Sequence, residues 1–259
     1  MQLDRPMPVA DLRNAHPFDR NSLSAGSSYA ACNRVSPADD RKLAEELEAR
    51  FPGTRLPMHE LNPPPFGWGL RLYAVIRKEL PFQSVFERSQ TPLNFEGTVE
   101  NRHVISFGYG PSETHHGHSI FPDQVRILDD RGDNDVIVAL DTAGPDRDRI
   151  ILAMIPPGDS LLTTWEVVAG RIRNPNPEHV RTVLNSNETL QIPILDFSLQ
   201  KYFRELEGCD VQGFPDRAWL ELAFVGIRLR LDETGADFLS AVEAGFIGEN
   251  GDYTLPGQQ

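Results

Sequence analysis

The sequence has little cysteine, a deficit of basic residues and no long apolar run. Only two cysteines, Cys32 and Cys209, occur in 259 residues. One disulfide would be a poor framework for a chain of this length, so we expect free thiols. The 25 Lys and Arg residues are outnumbered by 38 Asp and Glu residues, which gives a net charge of -13. Such a charge repels phosphates and argues against nucleic-acid binding and against anchoring to an anionic membrane surface.

The sequence also predicts neither a membrane-spanning helix nor a signal peptide. No apolar run approaches the roughly 20 residues that a membrane-spanning helix needs. Residues 1–20 alternate charges and prolines and do not contain the apolar core of a signal peptide. The sequence therefore predicts a cytoplasmic protein that does not bind membranes.

Complete catalytic motifs are absent as well. The chain contains no Gly-x-Ser-x-Gly nucleophile elbow, no Gly-x-Gly-x-x-Gly that opens a helix, and no phosphate-binding loop that ends in Gly-Lys-Ser/Thr. Cys209 follows Gly208, which ends a predicted helix, and the negative end of a helix dipole disfavours a thiolate. We therefore predict no catalytic residue and no cofactor, and we favour a non-enzymatic protein over an enzyme.

A histidine-rich segment is the strongest exception to this pattern. His115, His116 and His118 lie within a few residues of Glu113 and Asp123. Imidazoles and carboxylates of this kind bind zinc and other transition metals. Their spacing matches no established ligand pattern, and the nearby glycines are typical of a polar hairpin loop. A metal-binding protein or metal-dependent hydrolase that uses His115, His116 and His118 is the alternative hypothesis.

The N-terminal quarter predicts an arm followed by one helix. Residues 1–35 are rich in Asn, Ser, Pro and Arg, and their apolar residues follow no clear period. Such a segment stays ordered only if it lies along the body of the protein. Ser36 and Pro37 are suited to start a helix, and Leu43, Leu47 and Phe51 recur on one of its faces. The prolines of residues 62–65 then predict a boundary between a unit at 1–65 and a β-rich body at 66–259.

The body predicts more strands than helices, without strict alternation between them. Residues 150–155 form an apolar run that is typical of a central strand buried on both faces. Residues 161–172 predict a core helix that contains a packed Trp165, and residues 198–207 predict another helix. A long strand is expected at residues 219–231, and the glycine-rich end of the chain, which includes Gly245, Gly248, Gly251 and Gly257, is expected to form a tail. The fold class is therefore α+β with largely antiparallel or mixed sheets.

Five segments, in this order, resemble the second half of a serpin. They are residues 72–82 with Phe86, residues 93–95, residues 148–156, residues 192–199 and residues 226–236. In the last segment, Glu233, Thr234, Gly235 and Ala236 resemble the hinge that leads into the serpin reactive loop. The resemblance implies that the strands near 70–76 and 222–231 flank a single gap in the main sheet. Any other strand order would contradict it.

The departures from the serpin pattern concern the protease-trapping mechanism. About 65 residues precede the matching region here, whereas a serpin has about 180 residues of helices and a strand there. Asp237, Phe238 and Leu239 stand where an inhibitory serpin has small residues, and we expect them to hinder insertion of the loop into the sheet. The aromatic C-terminal strands are also missing. We therefore expect a serpin-like protein that does not trap proteases.

The functional expectation is a binding or interaction protein with a protein or peptide partner. The missing strands would leave an exposed sheet edge, which is an adhesion hazard unless it is covered. We predict that the arm at residues 1–35, or a second chain, pairs with that edge. The oligomeric state is left open by the sequence.

Overall fold

The computed structural model describes residues 26–249 except 91, 97–100, 110–123, 133, 145–147, 157, 182–187, 213, 215 and 216. The described residues contain two helices, α1 (Pro37–Arg50) and α2 (Leu161–Arg173). Their strands are β1 (Ser28–Arg34), β2 (Trp68–Pro81), β3 (Glu87–Arg88), β4 (Leu93–Glu96), β5 (Asn101–Val104), β6 (Ser106–Tyr109), β7 (Val125–Asp130), β8 (Val136–Asp141), β9 (Arg149–Met154), β10 (Leu190–Pro193), β11 (Leu195–Tyr202), β12 (Asp210–Val211), β13 (Ala218–Asp232) and β14 (Gly235–Gly248). All strand pairs among them are antiparallel, which confirms the predicted α+β class.

The main sheet has the strand order β1-β2-β14-β13-β11, with the short β12 also paired to β13. β2 and β13 thus flank one position, and β14 occupies it. β14 pairs with β2 from Gly235↔Pro81 to Gly248↔Trp68, and with β13 along the same length. The predicted relation between the strands near 70–76 and 222–231 is therefore confirmed.

The N-terminal arm supplies the edge strand next to β2. β1 pairs with β2 from Ser28↔Ile76 to Arg34↔Leu70. Residues 28–34 of the arm therefore pair with a sheet edge, that of β2. The rest of the arm, residues 1–25, lies outside the described part of the chain.

Helix α1 forms as its sequence predicts and covers one face of the main sheet. The Ser36 hydroxyl caps the helix and accepts a hydrogen bond from the Asp39 amide at 3.1 Å. Leu43 and Leu47, one helical turn apart, pack with Phe51 and with Tyr73 of β2 and Ala241 of β14. The face that α1 covers is therefore the one that Tyr73 and Ala241 share.

A second core joins the main sheet to the small sheets β10-β6-β3 and β7-β8-β9. Phe82 and Phe86 follow β2 and meet edge to face, with ring centroids 4.8 Å apart. They pack with Phe107 of β6, Leu140 of β8 and Leu231 of β13. This cluster fixes the end of the main sheet where β13 turns into β14.

Two segments that we expected to be buried lie at the surface. β9 is the edge strand of its sheet, and Met154 is 51% exposed. Helix α2 buries Val168 and Ala169, but Leu161 is 86% exposed and Trp165 is 57% exposed. The predictions of a doubly buried strand and a core helix are wrong because each element is covered on one side only in the described structure: β9 packs on the aromatic cluster through Ile150 and Leu152, and α2 packs on the sheet of β7.

Three further predictions fail where pairing overrides local sequence. Residues 198–202 continue β11 instead of starting a helix, since the edge of β13 pairs with them. Residues 245–248 belong to β14 and not to a tail. Residues 237–239 also lie in β14, and Leu239 packs against the cluster of α1, so the expectation that they hinder insertion is wrong. Neither helix of the described chain is long and apolar enough to cross a membrane.

Candidate functional site

The centre of the main sheet is closed by a tight hairpin between β13 and β14. Glu233 and Thr234 form its turn, and Asp232 accepts hydrogen bonds from the Thr234 amide at 2.9 Å and from its hydroxyl at 2.5 Å. Gly235 has a φ of 149°, and a Cβ there would stand 2.4 Å from the Leu80 carbonyl oxygen. Only glycine lets β14 approach β2 this closely. The segment predicted as a hinge therefore consists of this turn and, with Gly235 and Ala236, the first residues of β14.

A buried ion pair crosses from β14 to β2 under helix α1. Arg71 Nε lies 3.0 Å from Glu243 Oε1, in a contact that is ionic and lacks hydrogen-bond geometry. The Glu243 side chain is 0% exposed and the Arg71 side chain is 1% exposed. Arg71 also donates to Asp40 of α1 and to the His59 carbonyl oxygen, at 2.6 Å for the latter. Charges this deeply buried are tolerated only because each has several partners.

His59 extends this pair to the far edge of the sheet. Its Nδ1 lies 2.7 Å from Glu243 Oε2, and its Nε2 lies 2.8 Å from the Tyr202 hydroxyl of β11. The His59 ring also packs on Phe224 of β13, with centroids 4.5 Å apart. We call Asp40, Arg71, Glu243, His59 and Tyr202 the central network. It links α1, the segment after it and three strands through the carboxylate of β14.

Tyr73 of β2 packs beside the central network and connects it to the segment after α1. Its hydroxyl donates to the Pro57 carbonyl oxygen at 2.7 Å. Burial, together with the negative charge of Glu243, raises the pKa of Tyr73 above its ordinary value, so the phenol stays a neutral donor. The network thus binds residues 57–59 and α1 onto the sheet, and it makes β14 the strand on which these contacts converge.

The sequence matches no protein-family model and no curated protein. Solved structures do match. Reaction-loop-cleaved lamprey angiotensinogen aligns with a TM-score of 0.55 at 12% identity, over 87% of this chain and 77% of that one. Reactive-loop-cleaved human thyroxine-binding globulin aligns with a TM-score of 0.51 at 9% identity, over 88% and 76% of the two chains. The viral serpin CrmA aligns with a TM-score of 0.50 at 8% identity, over 87% and 84%.

The chain has a serpin-like fold. The resemblance stated from five short segments is therefore confirmed at the level of fold. At such low identity the likeness extends to the arrangement of the strands and not to any activity.

The histidines of the alternative hypothesis, His115, His116 and His118, lie outside the described residues. Within the described part of the serpin-like fold, no group of three or more His, Cys, Asp or Glu side chains is placed to hold a metal ion. Cys32 and Cys209 are free thiols, and burial raises the pKa of Cys32.

No sequence motif marks the residues of the central network. Arg71 and Glu243 each have apolar residues on both sides in a long strand, at positions that alternation assigns to the buried face. Two opposite charges in such positions on two strands are a signal for a buried pair. That signal needs the strand order, which becomes available only with the fold.

The opposite face of the main sheet is apolar, and its residues are exposed in the part of the chain that the structure describes. Strand register places Cys32, Leu72 and Ala244 side by side on this face, with Val242, Leu199 and Phe197 further along it. Leu72 is 39% exposed, Val242 and Phe197 are each 47% exposed, and Leu199 is 55% exposed. We call these residues the open face. An apolar sheet face of this kind is covered in most folds by a second layer.

A second buried carboxylate lies in the small sheet, next to α2. Asp129 of β7 pairs with Arg171 of α2, with Arg131 at 3.0 Å and with His179 Nδ1 at 3.2 Å. Arg171 also holds Asp135 at 2.7 Å. We call these residues the peripheral network. It fixes α2 on its sheet through one helix residue.

Proposed function

We propose that this chain is a non-catalytic binding protein that does not trap proteases. The observation that carries the proposal is the position of β14 between β2 and β13. Trapping by a serpin depends on insertion of the reactive loop as a new strand into the main sheet. Here the position between those two strands is filled by residues that continue directly from β13.

The contacts of β14 support the proposal that this strand stays in the sheet permanently. Withdrawing β14 would separate Glu243 from Arg71 and His59, and it would remove the pairing of both β2 and β13. A side chain that is 1% exposed, such as Arg71, would lose its most buried counter-ion. Breaking a buried pair costs about 3–5 kcal/mol, to which the lost strand pairing adds. Such a strand is suited to stabilise the fold and not to act as a mobile reactive loop.

The binding role rests on the open face. The partner that suits it is another protein that lays an amphipathic helix across the sheet, as α1 does on the opposite face. The net charge of -13 disfavours a second copy of this chain, because two such chains repel each other.

Protease challenge tests the first part of the proposal. The purified protein is incubated with trypsin, chymotrypsin, elastase and papain, beside an inhibitory serpin as a positive control. We expect no loss of protease activity and no complex that survives denaturing electrophoresis. A covalent complex with any of the four proteases would overturn the proposal.

Alkylation of Cys32 tests the second part, in a Cys209→Ser background. A partner protein is predicted to slow the alkylation of Cys32, and Val242→Glu with Leu199→Glu is predicted to abolish that protection. Slow alkylation of the isolated chain that accelerates on deletion of residues 1–25 would assign the face to that segment instead. Protection that increases with protein concentration would assign it to a second copy, and either result would refute a partner protein on this face.

A further inference from the structure

A cleft opens on the covered face of the main sheet, between residues 53–57 and the strands β14, β13 and β11. Its volume is about 290 Å³. Since a water molecule takes about 30 Å³ in the liquid, the cleft has room for roughly ten atoms of that size. It lies beside the central network without including any of its residues.

Small residues create the depth of this cleft. Gly226 of β13 pairs with Ala241 of β14 on one side and with Gln200 of β11 on the other. A Cβ at residue 226 would stand 3.1 Å from the Phe224 ring, so a larger residue would be crowded there. Leu239 and Pro57 contribute further apolar surface to the lining. These residues therefore give the cleft an apolar part, beside the polar residues Thr54, Ser198 and Gln200.

The lining of the cleft carries an excess of positive charge. Arg55, Arg77 and Arg228 line it, against a single carboxylate, that of Asp237. Arg77 is held in place by Thr54 Oγ1 at 2.7 Å and by Glu79. In the described part of the chain, Arg55 and Arg228 form no ion pair with an acidic residue, although acidic residues outnumber basic ones in this protein. Two guanidinium groups are thus available to a ligand.

One acceptor in the cleft also lacks a partner. Asp237 Oδ1 is buried and accepts no hydrogen bond among the described residues, and the nearest cation, Arg77 Nε, lies 3.9 Å away. A buried acceptor of this kind is costly unless a donor reaches it. The Asp237 side chain as a whole is 38% exposed and lines the cleft, which therefore offers two cations and one carboxylate to a ligand.

We propose that this cleft binds a small organic carboxylate that also carries a hydroxyl or amino donor. The carboxylate lies between Arg55 and Arg228, whose planar guanidinium groups suit a carboxylate. The donor group reaches Asp237, and the carbon frame covers Gly226 and Ala241. This site is independent of the open face and of the question of protease trapping.

The test is an NMR titration of the full chain with 4-hydroxybenzoate. Saturable shifts are expected for the amides of Gly226, Leu239 and Ala241, with a Kd on the order of 1 mM for a probe of about ten atoms. Benzoate, which has no donor, is expected to bind several-fold more weakly. Benzyl alcohol, which has no charge, and inorganic phosphate, which has no apolar frame, are expected not to saturate.

Variants separate this site from general anion binding. Arg228→Gln and Arg55→Gln are each expected to weaken 4-hydroxybenzoate at least about tenfold, and Arg173→Gln on the exposed surface of α2 serves as the matched control. Asp237→Asn is expected to reduce the advantage of 4-hydroxybenzoate over benzoate. Absence of saturable binding, equal binding of phosphate, or unchanged affinity in Arg228→Gln would each overturn the proposal.

Discussion

The central and peripheral networks use the same chemistry in two different places. Each joins a buried carboxylate to an arginine and a histidine: Glu243 with Arg71 and His59, and Asp129 with Arg171 and His179. The central carboxylate is 0% exposed and its arginine 1% exposed, whereas the peripheral pair is 3% and 9% exposed. The peripheral network also includes Arg131, which is 44% exposed and reaches solvent.

The difference lies in what each network holds. The central network converges on the middle strand of the largest sheet, where no water replaces a lost partner. The peripheral network fastens a half-exposed helix to a three-stranded sheet. Since the same ion pair costs more to break where water is excluded, the central network is expected to belong to the global fold and the peripheral one to a local unit.

The largest expected effect is that of Arg71→Met. It leaves the Glu243 carboxylate buried with His59 as its remaining partner. We expect a loss of about 4 kcal/mol in the free energy of unfolding, measured by urea denaturation. The double variant Arg71→Met with Glu243→Met is expected to be more stable than the single one, because no unpaired charge remains. A double variant that loses the sum of both single effects would contradict a coupled pair.

A smaller effect is expected for Asp129→Asn. The amide keeps the shape of the side chain but removes the charge that faces Arg171, which retains Asp135. We expect a loss of about 2 kcal/mol in the same denaturation experiment. A loss as large as that of Arg71→Met would show that the two networks do not differ in the way proposed.

The smallest expected effect is a pH dependence that Asp129 confers. Burial alone would raise the pKa of Asp129, but hydrogen bonds and charge from Arg171, together with Arg131, bring it below its ordinary value of 3.8. Folding therefore favours the carboxylate, and its contribution is present above pH 3.8 and is lost as the pH falls through the lower folded value.

Unfolding free energies between about pH 2.5 and 6 measure this contribution. Asp129→Asn is expected to lose less stability than the wild type as the pH falls through this range. Asp159→Asn, at an exposed position before α2, is the control and should follow the wild type. An acid-induced loss in Asp129→Asn equal to that of the wild type would refute the role of this carboxylate.

The sequence predicted the helices α1 and α2, the long strands and the order of the serpin-like segments. It predicted them because capping residues and β-branched runs are local signals, and Ser36 and Ser160 both act as caps. It failed at residues 198–202, where the edge of β13 decides between helix and strand. It also failed at Trp165, because burial depends on which layers surround a helix and not on the helix itself.

The candidate site was the least predictable part of the molecule. Arg71 and Glu243 lie 172 positions apart in the sequence and meet only because β14 inserts beside β2. Nothing local marks His59 as their partner. A charged residue between apolar residues in a buried strand indicates that it needs a counter-ion. Only the strand order shows which residue provides that counter-ion.

Native-state hydrogen exchange of β14 tests the central claim most directly. If β14 is a permanent central strand, the amides of residues 237–247 exchange only through global unfolding, with the same free energy as the paired amides of β2 and β13. Amides of α2 are expected to exchange earlier, through local opening of the peripheral network. Rapid exchange along β14 while β2 and β13 remain protected would show a strand that leaves the sheet, and would contradict the account.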